Sequence, residues 1–238
     1  MLDVLSLGDL TVDVVRKDIK NLHLSVHPPT GRVRIAAPQS LEIDAIRAYA
    51  ISRIAWIRTN QKKLRAQLRE PVRDYIDRES HFVWGERVLL QVIQTSGPPS
   101  VRLEHGSLIL AARNELTRDE RHRAIESWYR EILRCAAEPL VATWETKLGV
   151  RSGNLFVQRM KTKWGSCNPQ NGNVRLNTEL GKKPLECLDY VILHELTHLL
   201  EATHSDAFFA ILDRNLPQWR DIRRLLNSLP LSSSEATV

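Results

Sequence analysis

Residues 194–204 have the sequence HELTHLLEATH, which contains three of the chain's eight histidines. Apolar side chains recur at helical spacing across 185–201, so this stretch is predicted to be a helix with one buried face. At 3.6 residues per turn, His194 and His198 lie one turn apart and about 40° apart around the helix axis. Their imidazoles can therefore converge on one metal ion.

The residues that follow His194 supply the other parts of a metal site. Glu195 is rotated by about 100° from His194, so it can reach a water bound to the metal instead of the metal itself. A catalytic zinc usually has three protein ligands and one open position. His204 is the expected third ligand, and Glu201 is the alternative. Asp206 is a candidate hydrogen-bond partner for a ligating imidazole.

Composition narrows the classes of protein to which the chain can belong. The 238 residues are 42% hydrophobic and 26% charged, as in a soluble globular protein. The net charge of +6 is typical of a solvated surface and leaves an anionic partner open. The N-terminus lacks the features of a signal peptide, and no apolar run approaches the roughly 20 residues of a membrane helix, so no membrane partner is expected.

The cysteines predict the compartment. Cys135, Cys167 and Cys187 form no CxxC pair and are odd in number. A disulfide framework is therefore not expected, and a reducing, cytoplasmic location is favoured.

The order of elements predicts an α+β fold. Strands are expected over 10–36, with a turn at 28–31, and again over 81–112. One long helix is expected over 40–68, and a second runs from the capping box Thr117–Glu120 to about 148, where Pro139 would kink or divide it. Short extended segments and three helices, at 185–201, 205–214 and 217–228, complete the chain. The sequence shows no internal repeat.

This organisation predicts two parts. Residues 1–115 form a β-rich, basic N-terminal half with one long helix, and residues 116–238 form the core that carries the HExxH motif. The seam between them is expected near 112–118.

Residues 161–180, KTKWGSCNPQNGNVRLNTEL, combine with HELTHLLEATHSDAFF at 194–209 and a later Pro-Gln-Trp at 217–219. Together these motifs resemble the YgjP-like metallopeptidase family, whose relatives include the SprT-like and WLM zincins. The resemblance is specific over about 155–225. It implies a zincin-like metallopeptidase core with a short β-sheet beside the active-site helix, and a zinc-dependent hydrolase. The implied metal ligands are His194, His198 and His204, with Glu195 as general base.

The Trp-Gly-Ser-Cys segment has two interpretations. By analogy with other zincins, residues 162–168 form an edge strand that binds an extended peptide, so that Trp164, Gly165 and Ser166 contact substrate. Alternatively, Trp164 packs under the active-site helix and Gly165 and Ser166 only make a turn. Cys167 is expected to be a small buried thiol and not a ligand.

The spacing of apolar residues predicts which tryptophans and arginines are buried. Three tryptophans are expected in the core: Trp219 on the last helix, and Trp56 and Trp128 on earlier helices. Arginines on the last helix are expected to line a solvent face; these are Arg220, Arg223 and Arg224. The sequence does not single out the group that stabilises an oxyanion, for which Tyr190, Arg223 and Lys163 are candidates.

Three functions are compatible with these observations. The first is a zinc metalloendopeptidase that acts on unfolded or extended polypeptide, with Glu195 as the general base. The second is a metal-dependent nucleotide phosphohydrolase, a nucleoside triphosphate pyrophosphatase, although the sequence has no glycine-rich phosphate loop or carboxylate cluster for Mg²⁺. The third is a nucleic-acid-associated protease in which the basic N-terminal half binds DNA or RNA.

Overall fold

The computed structural model describes residues 2–27, 30–66, 73–113, 115–160 and 163–229. The chain divides into two compact units, one within Met1–Glu70 and the other within Pro71–Leu229. The turn predicted at Pro28-Pro29, the start of the edge strand predicted at 162 and the terminal residues 230–238 lie outside the described residues. Within the described part, no helix combines the length and apolar character that a bilayer crossing requires.

The first unit is a four-stranded sheet with two helices. The strand order is β1-β2-β4-β3, and the central pair β2 and β4 is parallel. The core between sheet and helices includes Val12, Val14, Ile35, Ile46 and Ile57. The elements are β1 (Leu2–Leu7), β2 (Leu10–Lys17), β3 (His23–His27), β4 (Arg32–Pro38), α1 (Ile43–Ser52) and α2 (Ile54–Ala66).

Two expectations for this unit are wrong. The single helix predicted over 40–68 is two helices, because Arg53 ends α1 in a non-helical conformation and its N–H caps the carbonyls of Ala50 and Ile51. Trp56 is 46% exposed and does not belong to the core. The buried face of α2 is instead centred on Ile57.

The second unit begins with a sheet of the same topology. Its strand order is β5-β6-β8-β7, and again the central pair is parallel while both outer pairs are antiparallel. The strands are β5 (Ser80–Val83), β6 (Glu86–Gln94), β7 (Ser100–Glu104) and β8 (Ser107–Ala112). The chain therefore repeats a four-stranded motif followed by helix, although its sequence shows no repeat. Strand pairing depends on backbone hydrogen bonds, which do not require similar side chains.

The long helix α3 (Arg118–Leu148) connects this sheet to the rest of the unit. Its first half packs Ile125, Trp128 and Tyr129 against buried strand residues, and its second half joins the core around the HExxH helix. The predicted capping box at Thr117 and Glu120 is present, and Gly149 ends the helix in the left-handed conformation. Pro139 does not divide the helix. The boundary predicted near 112–118 lies inside this second unit, in which α3 packs on the preceding sheet. Residue 114 is outside the described residues.

The remaining elements surround the HExxH segment. A three-stranded sheet has the order β10-β11-β9, with β10 (Gly165–Cys167) antiparallel to β11 (Val174–Asn177) and β9 (Leu155–Gln158) parallel to it. A short 3₁₀ helix (Thr178–Lys182) then leads to α4 (Leu185–Thr197), α5 (Asp206–Asn215) and α6 (Trp219–Ser228). The mixed composition and small sheets confirm the predicted α+β class.

Candidate metal centre

Helix α4 supplies the first two histidines of the centre. Its residues Leu188, Ile192 and Leu196 are fully buried, which fixes the rotation of the helix. His194 lies in its last turn, and His198 is the C-cap residue with helical backbone angles. Their ring centroids are 5.1 Å apart. The helix ends at Thr197 and not at 201 as predicted, so the chain turns immediately after the second histidine.

That turn places His204 beside the first two histidines. The ring centroid of His204 lies 5.0 Å from that of His194 and 4.8 Å from that of His198. Ser205 then caps α5 by accepting the N–H of Phe208, and the Phe208 ring lies within 5.0 Å of all three imidazoles. One ligand atom from each of His194, His198 and His204 lies within 4.8 Å of the other two.

The protonation of these histidines fits metal binding. Burial, the two neighbouring histidines and Arg223 lower the pKa of His194 to about 3, and burial also lowers the pKa of His198. The Nδ1 of His194 is buried without a hydrogen-bond partner. Neutral imidazoles carry the free lone pair that a metal ion requires, so the three side chains present suit a divalent metal with nitrogen ligands.

Glu201 and Asp206 differ in their relation to the imidazoles. The Nδ1 of His198 lies 3.2 Å from the Glu201 carbonyl oxygen. A carbonyl can only accept, so this bond keeps the hydrogen on Nδ1 and leaves Nε2 free. The Glu201 carboxylate accepts from Thr203 and is not part of the histidine cluster. The Asp206 side chain is exposed and makes no hydrogen bond or ion pair with any described residue, contrary to the expectation that it supports an imidazole.

Glu195 lies beside the histidines without joining them. Its side chain is buried on α4, and burial raises the pKa of the carboxyl to about 7, against the opposing effects of Lys163 and a hydrogen bond from the Cys167 backbone. A carboxyl in this position is available to exchange protons with a reacting molecule.

These side chains form the floor of a cleft with a volume of about 550 Å³. The other parts of its wall are residues 163–167 in and before β10, Tyr190 and Val191 on α4, and Arg223, Leu226 and Asn227 on α6. Among the described strands, β10 pairs only with β11, so its second edge is free. The cleft thus combines three nitrogen ligands, a buried carboxyl group and the edge of a sheet.

Residues 20–229 match the sequence model of the YgjP-like, metallopeptidase domain. The chain belongs to the YgjP-like family. Membership implies a metal-dependent peptidase, a bound metal ion and polypeptide substrates. No curated protein matches the chain.

Two crystal structures of metallopeptidase zymogens are similar to part of this YgjP-like chain. Jannalysin of Methanocaldococcus jannaschii is 25% identical, with a TM-score of 0.35, over 38% of this chain and 92% of that one. Abylysin of Pyrococcus abyssi is 22% identical, with a TM-score of 0.37, over 40% of this chain and 97% of that one.

The structure decides part of the two interpretations of the Trp-Gly-Ser-Cys segment in this YgjP-like chain, and substrate contact stays a prediction. Trp164 packs against the apolar core and also lines the cleft. Gly165 and Ser166 belong to a strand and not to a turn, and both line the cleft. Cys167 is half-buried, and burial together with Glu195 raises the pKa of its thiol to about 11, so it stays protonated.

The last helix of the YgjP-like domain, α6, contributes Trp219 to the core and Arg223 to the cleft, and spacing predicted only the first of these positions. Trp219 is buried as predicted, and its ring stacks on Tyr190 at 6.1 Å and on Phe209 at 5.6 Å. Arg223 is exposed, as expected for it and its two neighbouring arginines, and it also lines the cleft. Its position one turn after Trp219, which faces the same part of α4, is the signal that could have found it.

Proposed function

We propose that the chain is a zinc-dependent endopeptidase that cleaves extended polypeptide. The observation that carries this proposal is the convergence of three histidines and Glu195 beside the free edge of β10. Zinc held by His194, His198 and His204 would supply a Lewis acid and lower the pKa of a water molecule.

Glu195 is the proposed general base. It is buried at the floor of the cleft and adjoins His194, yet it is not among the three candidate ligands. Its carboxylate oxygen can accept a proton from the attacking water and return it to the amine nitrogen of the leaving group.

The edge of β10 is the proposed site of substrate binding. The Cys167 backbone bonds to Glu195, and the remaining backbone groups of this edge would pair with an extended peptide, as in β-augmentation. Trp164, Gly165 and Ser166 are the proposed contacts, since all three line the cleft. Tyr190, Arg223 and Lys163 also line it, so each of the three candidates for oxyanion stabilisation borders the space that a substrate would occupy.

Hydrolysis of nucleoside triphosphates is the second candidate. The cations Lys163 and Arg223 in the cleft wall favour an anionic substrate, and a metal site of this type can act on phosphorus as well as on carbon. Binding of DNA or RNA by the basic N-terminal part stays a prediction, and its test is a binding constant that falls steeply with salt. We also propose a reducing, cytoplasmic location, which the three free cysteines support.

The test uses zinc-loaded protein beside its Glu195→Gln variant, each incubated with a denatured protein pool and a nucleotide mixture. Mass spectrometry then detects products. New peptide termini with the wild type alone support the peptidase. Nucleotide breakdown without new termini, lost in the variant, contradicts it and supports the phosphohydrolase. Identical spectra for the two proteins contradict both, provided that circular dichroism shows both to be folded.

A further inference from the structure

Helix α6 carries three arginines with different surroundings. Arg220 forms an ion pair with Asp213, and Arg224 forms one with Asp221. Arg223 lies between them in sequence, lines the cleft and has no acidic partner among the described residues.

A second cation borders the same cleft. Lys163 precedes β10, is exposed and likewise has no acidic partner within the described part of the chain. Among the described residues that line the cleft, the buried Glu195 is the one with a carboxyl side chain, so these residues carry more positive than negative charge before any metal binds.

An unpaired cation in a binding cleft affects which substrates bind. A neutral peptide that covers Arg223 removes water from the guanidinium and offers no compensating charge. A carboxylate accepts two parallel hydrogen bonds from the same group, which is the pairing that guanidinium geometry favours. Arg223 is exposed where it lines the cleft with Tyr190 and Leu226, so the two parallel hydrogen bonds, and not burial, would favour the carboxylate.

We infer that Arg223 binds a carboxylate of the substrate, so that the cleft selects polypeptides with an acidic group near the cleaved bond. This inference rests on the proposed peptidase function. The carboxylate is supplied either by an Asp or Glu side chain or by the C-terminus of the substrate. Lys163 adds a second, weaker attraction at the β10 side of the cleft, since an ammonium group lacks the planar fork of Arg223.

The test measures kcat/KM of the zinc-loaded protein for internally quenched peptides. Glu is moved through the eight positions around one cleaved bond, each peptide is paired with its Gln counterpart, and each is made as free acid and as amide. We expect one Glu position to be cleaved about tenfold faster than its Gln counterpart. If the free acid is preferred instead, the substrate terminus is the source of the carboxylate.

The variants Arg223→Gln and Arg224→Gln then separate the two arginines. Arg223→Gln should bring the Glu-to-Gln ratio close to one, whereas Arg224→Gln should leave the ratio and the activity unchanged. A role in oxyanion stabilisation alone would lower both rates by the same factor and preserve the ratio. A preserved ratio in Arg223→Gln therefore overturns the inference, as does a wild type without any acidic preference.

A binding measurement distinguishes failure of the inference from failure of the proposed function. Fluorescein-labelled Glu and Gln peptides are titrated with zinc-loaded Glu195→Gln protein, and fluorescence anisotropy gives Kd. The inference is supported if the Glu peptide binds more tightly than the Gln peptide and the added Arg223→Gln change abolishes this difference. This holds even if the wild type cleaves no peptide. Cleavage without any difference in Kd or rate between the peptides supports the function and overturns the inference.

Discussion

Gly165 on β10 leaves the space that the Glu195 side chain fills. A Cβ atom at position 165 would lie 2.7 Å from Oε1 of Glu195 and 2.8 Å from its Cγ. The Gly165 backbone is not in the left-handed region, so space and not conformation requires glycine here. The strand and the candidate general base are thus packed at a distance that only hydrogen at this position permits.

Gly165→Ala should therefore displace the Glu195 carboxylate while leaving the fold intact. We expect kcat/KM to fall roughly 100-fold, because a shift of about 1 Å in a reacting group has an effect of that size. Steady-state kinetics and a thermal melt measure the two properties. Gly97→Ala is the matched control, since a Cβ there meets no atom within 4 Å. Full activity in Gly165→Ala would show that Glu195 has room to move without loss.

Local geometry explains which parts of the site the sequence predicts. His194 and His198 are related by one helical turn, so their convergence follows from helix geometry alone. His204 is predictable by its proximity in sequence, although the turn that brings it back is not. The helix was predicted four residues too long because Leu199 and Leu200 continue its apolar pattern.

Tertiary contacts explain what the sequence does not predict. Arg223 and Arg224 are adjacent and chemically identical, and Arg223 borders the cleft because it lies one turn after Trp219, which packs against Tyr190 of α4. Trp56 lies on an apolar face of its helix, but its side chain is 46% exposed and Ile57 is the buried residue among those described in α2. The repeated topology of the two four-stranded sheets leaves no trace in sequence, because β2 and β6 pair through backbone groups.

The third ligand can be tested by metal content. His204→Ala should weaken zinc binding by more than about 100-fold, since even hydrogen-bond partners of ligands contribute 10- to 100-fold. Glu201→Gln should retain the metal, because the Glu201 backbone carbonyl and not its carboxylate contacts His198. Competition with a chromogenic chelator measures both affinities. Loss of zinc in Glu201→Gln, with retention in His204→Ala, would reverse the assignment.

Asn177 holds the segment before β10 in position. Its buried amide donates to the carbonyls of Met160 and Lys163, at 2.9 and 2.8 Å, and its oxygen accepts from the N–H groups of Met160 and Glu179. The backbone N–H of Asn177 also donates to Trp164. Asn177 therefore binds the backbone of Lys163 and of Trp164, two residues of the cleft wall.

Asn177→Asp keeps the shape of the side chain but removes both donors. Two carbonyl groups would then face a buried carboxylate, and we expect a loss of about 2–4 kcal/mol in the free energy of unfolding. Urea unfolding measures it. Asn171→Asp is the control, because that exposed side chain only accepts, from the N–H of Asn173, and an aspartate can do the same. Equal stability of the two variants would contradict the role of Asn177.

His81 on β5 should make stability depend on pH. Its side chain is 1% exposed, and burial, with Arg73 and Lys182, lowers its pKa to about 3. The Glu79 carboxylate lies 3.6 Å from the Nε2 of His81, and the Tyr75 ring packs at 5.9 Å. The unfolded chain protonates the same residue near pH 6.5, so between pH 6.5 and 3 it binds more protons than the folded chain.

The stability that neutral His81 provides is thus complete above pH 6.5 and lost as the pH falls towards 3. Between pH 7.5 and 5.0 the loss is about 2 kcal/mol for this group. Urea unfolding at both pH values, with chelator present, should show that difference between wild type and His81→Gln, because other titrating groups contribute equally to the two proteins. If both proteins lose the same stability on acidification, then His81 either protonates in the folded state or lies in a more hydrated site than its burial indicates.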